Sequence, residues 1–141
     1  MKDMNSPFDP GLRHYAFYGS LRRGMALHWQ FQPYLHYRFS ARLPGFIMRV
    51  HGPYPTEQYA LPAYPVVSRG NGEITVEVTE VTNTDIAREI FTLEIRAGYR
   101  CEKISVGGEN VGIFLFSESP NLPLGPSGEW VQFFGHQKVR P

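Results

Sequence analysis

Glu73-Ile74-Thr75-Val76-Glu77-Val78-Thr79-Glu80, followed shortly by Asn83-Thr84-Asp85-Ile86-Ala87-Arg88-Glu89-Ile90-Phe91-Thr92-Leu93-Glu94, changes its hydrophobic period in mid-course. In the first half Ile74, Val76 and Val78 alternate with Thr75, Glu77 and Thr79, the pattern of a strand with one buried and one wet face. In the second half Ile86, Ile90, Leu93 and Ala97 recur at helical spacing, with Asp85, Arg88, Glu89, Thr92 and Arg96 on the other side. Asn83 or Thr84 is the expected N-cap, and Gly98 the expected stop. A strand that feeds a helix fixes the centre of the fold.

Working outward, residues 14–18 (His14-Tyr15-Ala16-Phe17-Tyr18) read as a first strand ending at Gly19-Ser20. A short helix is expected from Met25 to about Gln32, where Pro33 interrupts it. Residues 42–50 read as a second strand and residues 51–65 as a proline-rich loop. Pro65-Val66-Val67 reads as a short strand and Gly70-Asn71-Gly72 as a turn. Residues 99–106 and 111–117 read as two more strands around Gly107-Gly108. Residues 117–127, rich in Pro, Ser and Gly, read as a long loop. The expected fold class is α+β: a small mixed β-barrel of about five to six strands with flanking helices. Residues 1–13 read as a flexible tail and residues 14–141 as a single domain.

The chain has 141 residues, enough for one sizeable core, and its 14 glycines and 12 prolines suit a turn-rich, β-rich fold. The formal net charge of +1 gives no whole-molecule case for a nucleic-acid or anionic-membrane partner. A single cysteine, Cys101, excludes an intramolecular disulfide and suits a reducing compartment. The first ten residues lack the apolar run of a signal peptide, and no stretch is long and apolar enough to span a bilayer. A cytoplasmic protein is the expectation.

Glu94 is the residue most suggestive of chemistry. It lies four after Ile90 and eight after Ile86, on the apolar face of the helix. A carboxylate aimed at a core is costly unless paired or used, and the negative end of the helix dipole disfavours its charge. Both effects push its pKa toward the range of a general acid or base. The other reading is a structural carboxylate, frayed into solvent or paired with arginine. Tyr18-Gly19-Ser20-Leu21-Arg22-Arg23-Gly24 is the second suggestive segment. A strand runs there into a Gly-Ser turn whose backbone N–H groups suit a carboxylate or oxyanion, or the segment is an ordinary strand-end turn. It has neither the Gly-Lys-Ser/Thr ending of a phosphate loop nor the three glycines of a dinucleotide fingerprint.

Tyr-Gly-Ser-Leu-Arg-Arg-Gly with His28 after it resembles the substrate loop of the γ-glutamylcyclotransferase-like family, in its small bacterial-type members. Gly72-Glu73 opening a strand that continues to Glu80-Val81 is similar to the family's middle segment. So is a helix with Leu93-Glu94 before Gly98-Tyr99-Arg100, and so is the late Pro126-Ser127-Gly128-Glu129-Trp130. The order and spacing of the four segments carry the resemblance, over about residues 14–133. It implies a small mixed barrel with a cavity at its mouth, no metal or organic cofactor, and a small-molecule γ-glutamyl substrate. It also implies that Glu94 is the catalytic glutamate and that the backbone of Tyr18, Gly19, Ser20 and Leu21 holds the glutamyl part. The implied reaction closes the substrate's α-amine onto its own γ-carbonyl, giving 5-oxoproline and a released amine. Many members carry Asp three residues before the catalytic Glu and Gly directly after it. Here Phe91 and Ile95 stand there, which keeps the base and reshapes its surroundings. Relatives acting on γ-glutamyl peptides, γ-glutamyl amines or biosynthetic intermediates are all compatible with the resemblance.

Glu73 is the rival base or a further cavity residue, and Tyr99 a further candidate for the same site. Ser20 reads as a ligand hydroxyl or turn residue, since no His–Asp pair accompanies it. The five histidines show no metal spacing, and Cys101 reads as a small core residue. Two other functions stay open: a non-catalytic barrel that binds a small carboxylate, and a single-stranded nucleic-acid barrel. The latter would use Arg22, Arg23, Arg38, Arg42 and Arg49 among Tyr34, Tyr37, Phe39 and Phe46.

Overall fold

The alternation that starts at Glu73 extends further back than the sequence suggests. In the computed structural model, which describes residues 7–51, 64–118, 120–125 and 128, one strand runs without a break from Tyr64 to Val81. The expected turn at Gly70-Asn71-Gly72 lies inside this strand. A side chain at Gly70 or Gly72 would stand 2.4 Å from Ile47 or 2.7 Å from the Phe46 carbonyl oxygen. The glycines therefore serve close approach at a bulge, opposite the register shift between Pro44 and Phe46 on the partner strand.

In chain order the elements are β1 (His14–Phe17), α1 (Ala26–Phe31) with a 3₁₀ turn (Gln32–Tyr34), β2 (Leu35–His51), β3 (Tyr64–Val81), α2 (Thr84–Arg96), β4 (Arg100–Val106) and β5 (Glu109–Leu115). The second strand thus begins seven residues before the expected start. The sheet order is β2-β3-β1-β5-β4, antiparallel except for the parallel pair β1–β5. The fold is α+β, as expected, with five strands and two helices among the described residues. Among the described residues the ladder does not close, so the barrel is loose. Its far side is joined by the Phe116 N–H donating to the Val67 carbonyl at 2.8 Å and by an Arg69–Glu102 ion pair at 3.0 Å.

Ile74, Val76 and Val78 are fully buried, as their phase requires. Glu77 and Thr79, expected on the wet face, are buried too. Alternation assumes that one face meets water, whereas here the segment after β1 folds back over the second face. Residues 7–13, expected as part of a flexible tail, are tied to the domain. Leu12 is buried, and Phe8 meets Phe91 edge to face with centroids 5.5 Å apart. Residues 1–6, residues 52–63 of the loop expected at 51–65, and the Pro126-Ser127-Gly128-Glu129-Trp130 segment apart from Gly128 lie outside the described residues.

The helix α2 is capped at its start by the Asn83 side chain, which accepts the Ile86 N–H at 3.1 Å. Its inward face is Ala87, Ile90 and Glu94, with Phe91 at its edge against Phe114. Leu93, expected inward, is 40 % exposed. The end of α2 is a Schellman turn: Gly98 N–H donates to the Ile95 carbonyl at 3.1 Å and Tyr99 N–H to the Glu94 carbonyl at 3.0 Å. Gly98 holds φ +105°, and a Cβ there would lie 2.9 Å from the Phe116 ring. Gly98→Ala is therefore expected to destabilise the protein by more than about 1 kcal/mol, measured as a lower urea midpoint at unchanged slope.

Candidate active site

Three pieces of chain meet around a cavity of about 300 Å³, at the lower end for small-molecule sites. The end of β1 and the turn after it supply Phe17, Tyr18, Gly19, Ser20 and Leu21. The start of β3 supplies Tyr64 and Pro65, and the end of α2 supplies Glu94, Ala97 and Tyr99. Leu27 of α1 and Phe114 of β5 complete the apolar wall. The structure thus brings together Glu94, Tyr18, Gly19, Ser20, Leu21 and Tyr99, all named from the sequence.

Glu73 is not among them. It is exposed on β3, where its carboxylate receives the Arg42 Nε–H at 3.1 Å. The expectation that it lines the cavity is corrected: its phase is right for a side opposite Ile74, but that part of β3 lies beyond the bulge and far along the strand from Pro65.

Glu94 is half-buried at the cavity wall, and burial alone pushes its carboxyl from 4.5 up to about 7. The Schellman turn fixes its backbone against that of Tyr99. Burial raises the phenols of Tyr18 and Tyr99 well above their ordinary range, with Glu94 adding to both. Both therefore stay protonated as donors: Tyr18 to the Phe114 carbonyl and Tyr99 to the Pro65 carbonyl. These bonds lash the β1 end to β5 and the α2 exit to β3. Glu94 is left as the one carboxyl among the described lining residues, poised to gain or lose a proton near neutrality. Cys101 is buried with its thiol pushed up to about 11, which suits a core residue.

The turn at residues 19–24 is held from outside. Gly19 O accepts the Arg22 N–H, Ser20 O accepts the N–H groups of Leu27 and His28, and Leu21 O meets the His28 ring at 3.2 Å. The carbonyls are thereby committed to α1 and the turn. Among the described residues, the N–H groups of Ser20 and Leu21 donate to no backbone carbonyl. A Cβ at Gly19 would stand 2.7 Å from Pro65 Cγ, so only glycine lets the turn lie against β3. Gly19→Ala is expected to cost about 1–3 kcal/mol through overpacking and to shift Pro65 into the cavity. Thermal melts and ligand titration would register both.

The sequence did not single out Glu77. Its carboxylate, 4 % exposed, accepts from Arg22 Nε at 3.3 Å, from the Arg23 backbone N–H at 2.9 Å and from Arg23 Nε at 3.3 Å. An acid in a strand followed by valine, with two arginines after a Gly-Ser turn, was the available signal. Arg22 and Arg23 are two of the basic residues considered for nucleic acid. Arg42 pairs with Glu73, Arg38 with Glu109 at 3.8 Å, and Arg49 donates to the Leu122 carbonyl. Each of the five arginines thus has a partner within the fold, four of them on the carboxylates of Glu77, Glu109 and Glu73. No helix among the described residues is long and apolar enough to cross a membrane.

Residues 15–132 match the family described as Gamma-glutamyl cyclotransferase, AIG2-like. The chain belongs to this family. Among solved structures it is similar to an uncharacterized protein from Pyrococcus horikoshii, 24 % identical, covering 85 % of this chain and 91 % of that one with a TM-score of 0.67. It is also similar to an AIG2-like protein from Mus musculus, 17 % identical, covering 92 % and 96 % at a TM-score of 0.62. A third likeness is to Kluyveromyces lactis allophanate hydrolase, 18 % identical at a TM-score of 0.68, where 89 % of this chain covers 21 % of that one. At these identities the likeness is one of fold. Comparison with curated protein sequences gives no match. The matched residues include β1 from Tyr15, the turn after it, α1, β3, α2 and β5, the elements that frame the cavity.

Proposed function

We propose that this protein cyclises a γ-glutamyl amide to 5-oxoproline and releases the amine, with Glu94 as general base and then general acid. The observation that carries this reading is a half-buried carboxyl raised to about 7, the one carboxyl among the described lining residues, in the same cavity as the turn at residues 18–21. A free amine is the nucleophile, so Glu94 takes a proton from the substrate's α-ammonium. The amine nitrogen attacks the γ-carbonyl carbon and forms the five-membered ring. Ser20 and Leu21 N–H groups hold a carboxylate or the developing oxyanion, an effect of roughly 10²–10³-fold per well-placed donor. Glu94 then returns the proton to the leaving nitrogen as the original C–N bond breaks, takes the second proton from the ring nitrogen to leave the neutral lactam, and passes it to the released amine, which departs as its ammonium. One carboxyl near neutrality serves both directions, worth roughly 10²–10⁴-fold, and folding the substrate so that amine meets carbonyl adds proximity.

The test is 5-oxoproline release from γ-glutamyl amides and γ-glutamyl dipeptides. Release by the parent protein and not by Glu94→Gln supports the reading. Equal release by both removes Glu94 from the chemistry. Binding without release from any member leaves a carboxylate-binding pocket instead.

A further inference from the structure

Two features of this chain fall outside the family pattern, and they touch each other. The family match begins at Tyr15, so residues 7–13 precede it. Phe91 stands where many members carry Asp, three residues before the glutamate. Phe8 of the leading segment meets Phe91 edge to face with centroids 5.5 Å apart, and the Arg88 guanidinium lies over the Phe8 ring, 4.6 Å from its centre. An aspartate at position 91 would offer Phe8 no ring and would set a charge against the apolar wall at Phe114.

The leading segment is anchored at its other end. Leu12 is buried, and its side chain lies so close to Gly112 of β5 that a Cβ there would stand 2.9 Å away. The Asp9 carboxylate accepts the Gly11 N–H at 2.9 Å and a hydrogen of the Lys103 ammonium on β4. The Asp9 carbonyl accepts the Leu12 N–H at 3.1 Å. These bonds make a tight turn fixed to β4 and β5, from which Phe8 reaches α2. The aromatic contacts continue inward: Phe91 packs on Phe114 with centroids 6.2 Å apart, and Phe114 lines the cavity. Glu94 follows Phe91 by three positions and is its neighbour on the helix surface. A close-packed interior transmits such a contact rather than absorbing it.

We propose that residues 8–12 form a strap that sets the seat of α2 against β5, and that Phe8 is a positioning residue for Glu94. This role presupposes the cyclisation proposed above. Glu94 must serve two nitrogens in turn, so a small displacement of its helix costs rate; misplacement by about 1 Å is worth up to about 10²-fold. The glutamyl half is held by the turn at residues 18–21, on which none of these strap contacts falls.

The test is steady-state 5-oxoproline release from one γ-glutamyl amide by the parent, Phe8→Ala, Phe8→Tyr, Phe91→Leu and the double variant Phe8→Ala/Phe91→Leu, each confirmed folded by its urea midpoint. Phe8→Ala is expected to lower kcat by about tenfold with KM changed by less than about twofold, the signature of an interaction that serves the transition state alone. Phe8→Tyr keeps the ring and is expected to restore the parent kcat. Phe91→Leu keeps the packing on Phe114 but removes the ring that Phe8 meets, so the double variant should fall little below the worse single one. An unchanged kcat in Phe8→Ala, a loss confined to KM, an equal loss in Phe8→Tyr, or additive losses in the double variant would each overturn the strap and leave the cyclisation standing. No 5-oxoproline from the parent overturns the cyclisation, and the strap's role with it.

Discussion

Glu94→Gln is expected to abolish 5-oxoproline release, by about 10²–10⁴-fold, while stabilising the folded protein above pH 7. The two effects share one cause. The carboxyl titrates near 7 in the folded protein against 4.5 for a free side chain, because the cavity wall strips it of water. Below about pH 4.5 it is protonated in both folded and unfolded chains and does not oppose folding. Between 4.5 and 7 the unfolded chain releases its proton and the folded one does not, so stability falls as pH rises. Above 7 the loss is complete, and the shift from 4.5 to about 7 converts to at most about 3 kcal/mol. Glutamine keeps the shape and never ionises. Its melting temperature should therefore match the parent's near pH 4.5 and exceed it increasingly toward pH 8. The parent's kcat/KM should fall below pH 7 as the base is protonated. A stabilised, inactive variant would be hard to reconcile with a structural carboxylate. A destabilised one at pH 8 would remove the basis for Glu94 as a strained acid–base group.

The sequence exposed Glu94 for a local reason. Helical spacing from Ile86 and Ile90 places position 94 inward whatever the rest of the chain does, and Gly98 marks the end that holds it. Leu93 was misplaced by the same spacing, because Phe91 against Phe114 rotates the inward face toward Ala87 and Ile90. The turn after β1 was legible from Tyr18-Gly19-Ser20, and the resemblance of four separated segments supplied the architecture that no single segment implies. Tyr64, Pro65 and Leu27 were not legible as cavity residues. They arrive from β3 and α1 through the fold of a long bulged hairpin, and Gly70-Asn71-Gly72 has the composition of a turn although packing against Ile47 makes it a bulge. Glu77 escaped for a related reason. Alternation marked it as solvent-facing, and only the fold-back of residues 19–24 covers that face.

That cover gives the second large effect. Glu77→Ala is expected to destabilise the protein by about 3 kcal/mol and to lower kcat/KM by about 10²-fold, mostly through KM, because the turn that cradles the substrate loses its anchor. The Glu77 carboxylate is 4 % exposed and Arg22 is 7 % exposed, so neither charge is relieved by water when the other is removed. The backbone N–H of Arg23 loses its acceptor as well. Stability and positioning can be separated. In the double variant Arg22→Met/Glu77→Gln no buried charge is stranded, and the glutamine amide oxygen can still accept the Arg23 N–H. Its denaturant midpoint should recover most of the loss, since apolar replacement of one partner with neutralisation of the other removes the desolvation penalty. Its KM should recover too, because the turn is tied again at the main chain. Recovered stability with KM still raised would mean that the Arg22 guanidinium itself shapes the turn. Unchanged stability and KM in Glu77→Ala would mean that α1 and the His28 ring hold the turn without it.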